Sequence, residues 1–228
     1  MDIYQQLSNK SGLCPEGMNF SGTLYRPDNR AVQAYAAYLL AGFCMPTLLS
    51  KKPSSLIRVD IQGEEYKNRL FFSINTVLEQ FDCDYSILFE NDSTLSLLVY
   101  HKKLLLNLLR EKEMKAFLER NGLMADNMKL LFNSLSIKLD RYYTGKCKEF
   151  PHEIGVILGY PIQDVTGFIR NRGKNYILCG SWKVYHNADK AAEIFEEYKR
   201  IRNSALSFLL EGKKPEEMKP EQLKDFSL

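Results

Sequence analysis

Two short apolar runs, separated by three polar residues, constrain the fold of this chain more than any other feature. Residues 85–90 read YSILFE, residues 94–100 read TLSLLVY, and the connection between them is NDS. Runs of this length on either side of a short polar connection are typical of antiparallel strands joined by a tight turn. The sequence therefore predicts a β-hairpin near the middle of the chain.

The segments on either side of this hairpin predict one further strand and several helices. In residues 56–61, LIRVDI, apolar side chains alternate with Arg58 and Asp60, which is typical of a half-buried strand. Asp126 and Asn187 can each cap a helix, and Pro46 is expected to end the first one. Apolar residues recur at helical spacing in five segments, approximately residues 29–43, 64–81, 102–120, 126–142 and 187–212.

These elements predict an α+β fold class, in which a small, mostly antiparallel sheet is packed with helices. A length of 228 residues is compatible with a single domain of this kind. We assign residues 1–212 to one α+β domain. Residues 213–228 are polar and interrupted by prolines, so we expect them to form a peripheral tail.

Composition and charge exclude several classes of protein. With 45% hydrophobic and 26% charged residues, the chain has the composition of a soluble globular protein and not of a disordered one. The 31 Lys and Arg residues exceed the 28 Asp and Glu residues slightly, which gives a formal net charge of +3. So small an excess implies no strongly anionic partner, and nucleic-acid binding would require the charge to be concentrated on one face.

The cysteines and the uncharged segments bear on the compartment. The cysteines at positions 14, 44, 83, 147 and 179 are odd in number and form no CxxC pair, which favours reduced, mostly buried thiols. The opening MDIYQQLSNK lacks the features of a signal peptide. Residues 31–50 carry no charge, but Pro46 and polar residues interrupt them, which favours a core helix over a membrane span. We therefore expect a cytoplasmic protein with no membrane span.

Residues 153–170, EIGVILGYPIQDVTGFIR, allow a helix-turn-helix interpretation. Gly155 would let two helices approach closely, and Gly159 stands where the chain would turn between them. Against this interpretation, Asp164 would bring a carboxylate near the DNA, and the net charge is low. In the DNA-binding alternative, the side chains that contact bases or phosphates are Gln163, Thr166, Arg170, Arg172 and Lys174.

His152 and Glu153 predict either an acid–base pair or an ordinary helix start. A zinc site of the HExxH type would need a second histidine where Val156 stands, so no metal site is predicted. The pair could exchange a proton near neutral pH, but Glu153 would also complement the dipole at a helix N-terminus. No catalytic residue is assigned, and the sequence leaves both enzyme activity and any cofactor open.

Residues 180–186, GSWKVYH, form a second cluster of polar and aromatic residues. The single tryptophan, Trp182, could line a pocket for an anion or an aromatic ligand together with Lys183 and Tyr185. Alternation along a strand would direct Trp182 to the core and Lys183 to the surface. Cys179 is expected to be a buried, inert thiol. Residues 50–56, SKKPSSL, could hold a phosphate but lack the arrangement of a P-loop.

Three stretches of the chain resemble a known family. They are FPHEIGVILGYPIQDVTGFI at residues 150–169, GSWKVY at residues 180–185 and CMPTLLSKKPSSL at residues 44–56. The family is a group of uncharacterised proteins from clostridia and related Firmicutes, known as domain of unknown function 3793. A histidine expected before the cysteine of the third stretch is Phe43 here. The resemblance, from about residue 32 to residue 208, implies one domain in a cytoplasmic bacterial protein and no established activity.

These observations lead to a hypothesis of small-ligand or protein-partner binding, with enzymatic chemistry left open. We expect the site to form where residues 46–56, 150–161 and 180–186 converge. A helix-turn-helix DNA-binding regulator that uses residues 153–170 is the alternative. The candidate ligand-binding residues are His152, Glu153, Tyr160, Trp182, Lys183 and Tyr185.

Overall fold

A three-stranded antiparallel sheet stands at the centre of the protein, whose computed structural model describes residues 29–217. The strands are β1 (Ser54–Asp60), β2 (Cys83–Glu90) and β3 (Thr94–His101), in the order β1-β3-β2. At the turn between β2 and β3, Asn91 Oδ1 accepts hydrogen bonds from the backbone N–H groups of Ser93 and Thr94. The predicted hairpin and the predicted third strand are both confirmed.

Nine α-helices accompany this sheet in residues 29–217. They are α1 (Asn29–Leu39), α2 (Met45–Leu48), α3 (Glu64–Leu78), α4 (Lys102–Arg110), α5 (Lys112–Arg120), α6 (Met128–Tyr143), α7 (Glu153–Ile157), α8 (Ile162–Asn171) and α9 (Ala188–Leu210). A π-helical turn, Leu40–Cys44, joins α1 to α2, and short 3-10 turns occupy Glu79–Phe81 and Pro215–Glu217.

Helices cover both faces of the sheet, so every residue of the central strand β3 is buried. Leu97 and Val99 belong to a core that includes residues of α1, α3 and α9. Leu98 and Tyr100, which alternate with them, belong to a second core with residues of α4 to α8. The architecture is therefore the predicted α+β class, with a small antiparallel sheet between two layers of helices.

Pro46 does not end the first helix, contrary to the prediction from sequence. The wider π-turn Leu40–Cys44 interrupts the regular hydrogen-bonding pattern, and Pro46 then lies in the first turn of α2, where a missing N–H is tolerated. The combined helix Asn29–Leu48 has the length and apolar composition of a membrane span, but 61% of its most apolar stretch is buried in the protein. Its packing against α3 and α9 agrees with a core helix, and the localisation stays a prediction.

Two details of the helix boundaries also differ from the prediction. The segment predicted as one helix from residue 102 is two helices, because Glu111 has an extended backbone conformation between α4 and α5. The cap of α6 is Asn127, which accepts a hydrogen bond from Leu130 N. Asp126, the residue expected to cap this helix, instead pairs with Lys115 over 2.6 Å. The predicted cap of α9 is confirmed, since Asn187 accepts a hydrogen bond from Lys190 N.

A two-stranded hairpin precedes the last helix. It consists of β4 (Leu178–Cys179) and β5 (Lys183–Val184), which pair antiparallel, so the segment that could be a single strand or a tight hairpin around Gly180 and Ser181 is a hairpin. Trp182 and Val184 of this hairpin form a third, smaller core with Ala191 of α9. Residues 213–217 follow α9, and the rest of the predicted tail, residues 218–228, lies outside the described residues.

Candidate functional site

The three segments that carry the family resemblance meet in space. Ser54 at the start of β1 donates a hydrogen bond through Oγ to the carbonyl oxygen of Ile157 over 2.7 Å. A Cβ atom on Gly159 would lie only 2.5 Å from Pro53, so the turn after α7 packs directly on the loop before β1. Tyr160 in the same turn donates through its hydroxyl to the carbonyl oxygen of Ser181, over 3.2 Å.

A cavity of about 470 Å³, called the main cavity below, lies where these segments meet α9. A volume of this size falls within the range typical of small-molecule sites, roughly 300 to 1,000 Å³. Gly42 of the π-turn and residues 178–181 of the hairpin β4–β5 also line this cavity. The side chains that matter most for its chemistry are Phe43, Lys52, Tyr160, Phe195, Tyr198 and Arg202.

One face of α9 supplies a large part of the wall. Phe195, Tyr198, Lys199 and Arg202 are three or four residues apart, so they lie side by side on the helix surface. Glu196 also lines the cavity, and its carboxylate lies 3.4 Å from Lys199 Nζ. The side chains of Glu196 and Lys199 are 73% and 65% exposed. This pair therefore lies at the rim of the cavity, and its two charges cancel each other. The positive charge farther inside comes from other side chains.

Lys52 and Arg202 provide this inner positive charge, and each lies over aromatic rings. Lys52 Nζ is 5.8 Å from the ring centre of Tyr160 and 6.0 Å from that of Tyr198. The guanidinium carbon of Arg202 is 6.0 Å from the ring centre of Phe43. Such contacts favour a cation over an aromatic face, so the rings help to hold the two charges in the cavity wall.

The two tyrosines present ring surface to the cavity and not an ionised oxygen. The hydroxyl of Tyr198 donates to the carbonyl oxygen of Lys51 over 3.2 Å, as that of Tyr160 does to Ser181. Burial raises the pKa of Tyr160 far above its usual value, and it raises the pKa of Tyr198 to about 12. Both phenols are therefore neutral at physiological pH.

The loop that carries Lys52 is fixed at both ends. Lys51 pairs with Glu197 over 3.1 Å in addition to accepting the hydrogen bond from Tyr198. Beyond the loop, Thr47 Oγ1 and Ser55 Oγ are 2.9 Å apart and both residues are buried. The segment described from sequence as a possible phosphate-binding stretch is thus an ordered wall of the main cavity.

A known protein family matches most of this chain. The family described as "Protein of unknown function (DUF3793)" matches residues 40–219. The chain belongs to this family. Comparison with curated proteins and with solved structures gives no match. The matched range includes every described residue that lines the main cavity, so this site lies in the DUF3793 domain.

Four of the six candidate residues named from sequence converge, but around a much smaller space. His152, Tyr160, Trp182 and Lys183 line a cavity of about 20 Å³, which has room for about one water molecule. Tyr160 is the only one of the six that also lines the main cavity. In this DUF3793 domain the small cavity is therefore a gap in a packed cluster, whereas a ligand-sized space lies on the other side of Tyr160.

Asp164 is the centre of this packed cluster. Its carboxylate is buried and accepts three hydrogen bonds, from Trp182 Nε1 over 2.7 Å, from Tyr185 N over 2.7 Å and from His186 N over 2.9 Å. The prediction of a buried Trp182 is confirmed. Asp164 therefore does not face outward from α8, and the objection that it would repel DNA does not apply.

The prediction that Lys183 lies at the surface is wrong. Only 4% of this residue is exposed, and its Nζ donates to the carbonyl oxygen of Gly173 over 2.8 Å. The ammonium group also lies over the rings of Phe168 and Tyr176, at 5.6 and 5.1 Å. This hydrogen bond to a carbonyl just beyond the C-terminus of α8, together with the two aromatic faces, explains how the charge of Lys183 is accommodated in the interior.

Glu153 and His152 line a separate cavity of about 390 Å³. Glu153 is buried, and its carboxylate forms an ion pair with Lys138 of α6, which also donates to the carbonyl oxygen of Asn121. The His152 ring contacts that of Phe168, with 5.3 Å between centres. Glu153 thus joins α7 to α6, and a role of either residue in ligand binding stays a prediction.

Tyr185 packs against α8 at Gly167. A Cβ atom on Gly167 would lie 2.6 Å from the Tyr185 side chain, so glycine at this position allows the hairpin to approach the helix. Gly155 acts in the same way between α7 and α8, since its Cβ would lie 3.0 Å from Val165. The close helix approach expected from Gly155 is therefore present. Close packing therefore accounts for the glycines at positions 155 and 167.

The residues of the DNA-binding alternative are mostly exposed. Gln163, Arg170, Arg172 and Lys174 all face solvent, while the hydroxyl of Thr166 donates back to the carbonyl oxygen of Ile162. The helix-turn-helix hypothesis stays a prediction, and α7 is only five residues long.

Four of the five cysteines lie among the described residues 29–217. Cys44 and Cys83 are buried, Cys147 is half-buried and no disulfide joins the described cysteines. Cys179 is exposed, so the prediction of a buried thiol there is wrong; Cys14 lies outside the described residues. Within the described part of the chain, no group of three or more His, Cys, Asp or Glu side chains could hold a metal ion.

Sequence reasoning missed the main contributors from the last helix. The helical spacing of apolar residues in segment 187–212 predicts only that Phe195 and Tyr198 belong to a buried stripe, and it does not single out Arg202. The available signal was the recurrence of aromatic and basic residues on one face of α9. In the sequence, Phe43 appears only as a departure from the family pattern. In the structure it lines the cavity opposite Arg202.

Proposed function

We propose that this protein binds a small organic molecule in the main cavity. The observation that carries the proposal is the convergence of three distant segments and α9 around about 470 Å³ of space lined by four aromatic side chains and two inner cations. Ligand sites in proteins are typically concave, largely apolar and furnished with a few polar groups that fix the ligand.

The packing around the cavity supports this proposal, because the wall is held by interactions that do not need a ligand. The loop with Lys52 is tied to α9 through Lys51, and Tyr160 stacks on Trp182 with ring centres 5.0 Å apart. Phe195 meets Trp182 edge-on, with 4.5 Å between ring centres. A site that is formed before binding loses less conformational entropy when the ligand enters.

Two fluorescent probes of matched shape test the proposal. Phenylnaphthylamine is neutral, and anilinonaphthalene sulfonate differs from it by one sulfonate group; both fluoresce strongly in apolar surroundings. Ala192 lines the main cavity, so Ala192→Phe should fill part of it and abolish probe binding. Glu193, the next residue of α9, is exposed, and Glu193→Phe is the matched control that should bind as the unmodified protein does.

The proposal requires that at least one probe binds the unmodified protein with a defined stoichiometry. Absence of binding by both probes would overturn it. Equal binding by the Ala192→Phe and Glu193→Phe variants would also overturn it, because the probes would then occupy some other surface. A shift of Trp182 fluorescence on binding is expected as well, since this residue contacts two rings of the cavity wall.

A further inference from the structure

We infer that the ligand of the main cavity is peptide-like, and that its own N–H and C=O groups pair with the backbone of Leu56 on the outer edge of β1. This inference rests on the proposed function and names the chemical class of the small molecule. It follows from the hydrogen-bonding pattern of the central sheet, from the place of Leu56 in the cavity wall and from the rings around it.

Hydrogen bonds at the two ends of β1 show which of its backbone groups face β3. β1 lies at the edge of the sheet and pairs on one side only. Just after this strand, Ile61 N donates to Ser93 O over 2.8 Å, and just before it Pro53 O accepts from His101 N over 2.9 Å. In an antiparallel pair, bonded positions of this kind alternate with unbonded ones. The register is constant along β1, so the backbone groups of its even-numbered residues, Leu56 among them, face the outer edge.

The pairing of β3 with β2 agrees with this orientation. Leu98 of β3 stands opposite Leu56. Lys102 N donates to Asp82 O, and the same alternation then directs the backbone groups of Leu98 to Ser86 of β2. Within residues 29–217, no other group forms a hydrogen bond with the backbone N–H or C=O of Leu56. Leu56 is buried, and buried backbone groups are almost always paired, so a ligand that supplied both partners would remove an unfavourable state.

The outer edge of β1 at Leu56 borders the main cavity. Ser55 and Leu56 are neighbours in a strand, so their side chains point to opposite faces of the sheet. Ser55 Oγ lies 2.9 Å from Thr47 Oγ1, whereas Leu56 belongs to the core formed with α4 to α8. Both residues nevertheless line the main cavity. A space that reaches both faces of an edge strand at one point lies along its edge, so the unpaired backbone groups of Leu56 face this space.

The partner that fits these two groups is another extended amino-acid residue. Opposite residues of an antiparallel pair exchange both N–H···O=C bonds, because the N–H and C=O of one extended residue point to the same side with the same spacing. Peptides bind exposed sheet edges in this way. An acylated amino acid carries the required donor and acceptor on a single residue, and a cavity of about 470 Å³ has room for such a molecule.

The rings of the cavity wall favour an aromatic side chain on this residue. Directly opposite residues of a sheet place their side chains on the same face, so the side chain of the ligand lies beside that of Leu56. Tyr160 packs against the core that contains Leu56, and it also lines the main cavity. Phe43, Phe195 and Tyr198 line the cavity as well. Ring surfaces favour stacking or edge contacts with another ring, so the class of ligand is an N-acylated aromatic amino acid.

Single-atom changes in one small compound test this inference without altering the protein. N-acetylphenylalanine methylamide is the compound, and NMR titration measures its affinity. Replacing the N–H of its acetyl amide by an ester oxygen removes the donor to Leu56 C=O, and we expect binding to weaken about tenfold. Replacing the N–H of its methylamide by oxygen is the matched control. This N–H points away from β1, so binding should weaken by less than about threefold.

Hydrogen exchange of single backbone amides, followed by NMR, locates the bound compound. At a concentration of ten times its Kd, the compound should slow exchange of the Leu56 N–H about tenfold, because exchange then requires dissociation. The N–H of Arg58 is the control, since it also faces the outer edge but Arg58 does not line the cavity. Its exchange should not change. Ala192→Phe fills part of the cavity and should abolish both the binding and the protection of Leu56.

The outcomes separate this inference from the proposed function. If a fluorescent probe binds in the main cavity but N-acetylphenylalanine methylamide does not, the cavity binds small molecules and the peptide-like class is wrong. Equal losses from the two oxygen replacements, or unchanged exchange at Leu56, would overturn the pairing with β1. If neither fluorescent probe binds, the proposed function itself fails.

Discussion

Tyr160 stacks on Trp182 with 5.0 Å between ring centres and 26° between ring planes, and this stack separates two very different spaces. On one side lies a gap of about 20 Å³ among residues that the sequence suggested as a site. On the other side lies the main cavity of about 470 Å³. Tyr160 is shared by both, so it links the family motif to the space in which a ligand can fit.

The Asp164 carboxylate should be among the most important polar groups for stability. Asp164→Ala leaves three N–H donors without their acceptor, and we expect it to lower the free energy of unfolding by about 3 kcal/mol or more. Asp164→Asn keeps one oxygen and should cost less. Urea unfolding followed by circular dichroism measures both, and equal stability of the two variants would contradict this role.

The ion pair of Glu153 should likewise be structural. Glu153→Ala leaves Lys138 without its carboxylate partner near a buried surface, and we expect a loss of about 3 kcal/mol, towards the lower end of the range for broken buried pairs because Lys138 is partly exposed. Glu149 lines the same cavity but is exposed, so Glu149→Ala should change stability by less than about 0.5 kcal/mol. Chemical unfolding measures the free energy of unfolding of both variants. A loss in Glu153→Ala as small as that in Glu149→Ala would contradict the structural role and favour a functional one.

Two glycines in the wall of the main cavity should respond differently to alanine. Gly180→Ala brings a Cβ atom to 2.2 Å from Phe195, so that ring must move, and we expect a loss of about 1 to 3 kcal/mol and weaker probe binding. Gly42→Ala meets only ordinary contacts, the nearest at 3.8 Å, and should be tolerated. Thermal unfolding and probe titration test the pair. Similar behaviour of both variants would mean that the Phe195 ring does not depend on Gly180.

Stability should fall when the pH is raised above about 9, because buried acids must stay protonated. Burial raises the pKa of the Cys44 thiol from 9.0 to about 12 and has the same effect on the pKa of Cys83. Between these values the unfolded chain loses the proton and the folded chain keeps it. The stabilisation is therefore complete below pH 9 and is lost as the pH approaches 12, at roughly 1 kcal/mol per pH unit for a fully shifted thiol.

Cysteine variants identify the source of this pH dependence. Cys44→Ala should make the decline of stability with pH less steep, whatever its effect at neutral pH. Cys179→Ala is the control, because Cys179 is exposed and should leave the slope unchanged. The free energy of unfolding, measured in urea at several pH values from 8 upwards, provides the comparison. An unaltered slope in Cys44→Ala would show that its thiol ionises normally.

Duplex DNA should not bind with measurable affinity at low salt. Although Arg170, Arg172 and Lys174 are exposed, the net charge of +3 supplies little of the phosphate attraction on which nonspecific binding depends. Fluorescence anisotropy with a labelled duplex at two salt concentrations measures this. A complex that weakens with salt, and that Arg172→Gln weakens further, would instead favour the helix-turn-helix alternative.

Local sequence was sufficient to predict most of the secondary structure. The alternation in LIRVDI, the two runs joined by NDS and the cap at Asn187 correspond to β1, the central hairpin and α9. The predictions that Pro46 ends a helix and that Asp126 caps one were wrong, because interactions with other residues changed the local structure. A π-turn accommodates Pro46, and Lys115 engages Asp126. Periodicity and capping depend on residues within a few positions, so they can be recognised in the sequence itself.

The sequence by itself determined most of the secondary-structure elements and the α+β class, and the meeting of the three segments was a hypothesis until the structure brought them together. Only the tertiary structure decided that Lys183 is buried over two rings, that Glu153 pairs with Lys138, and that Lys52 and Arg202 face one cavity. Apolar spacing shows which face of a helix or strand is buried. The burial of a charged side chain depends on whether distant residues supply its hydrogen bonds and counter-charges, and packing alone establishes those distances.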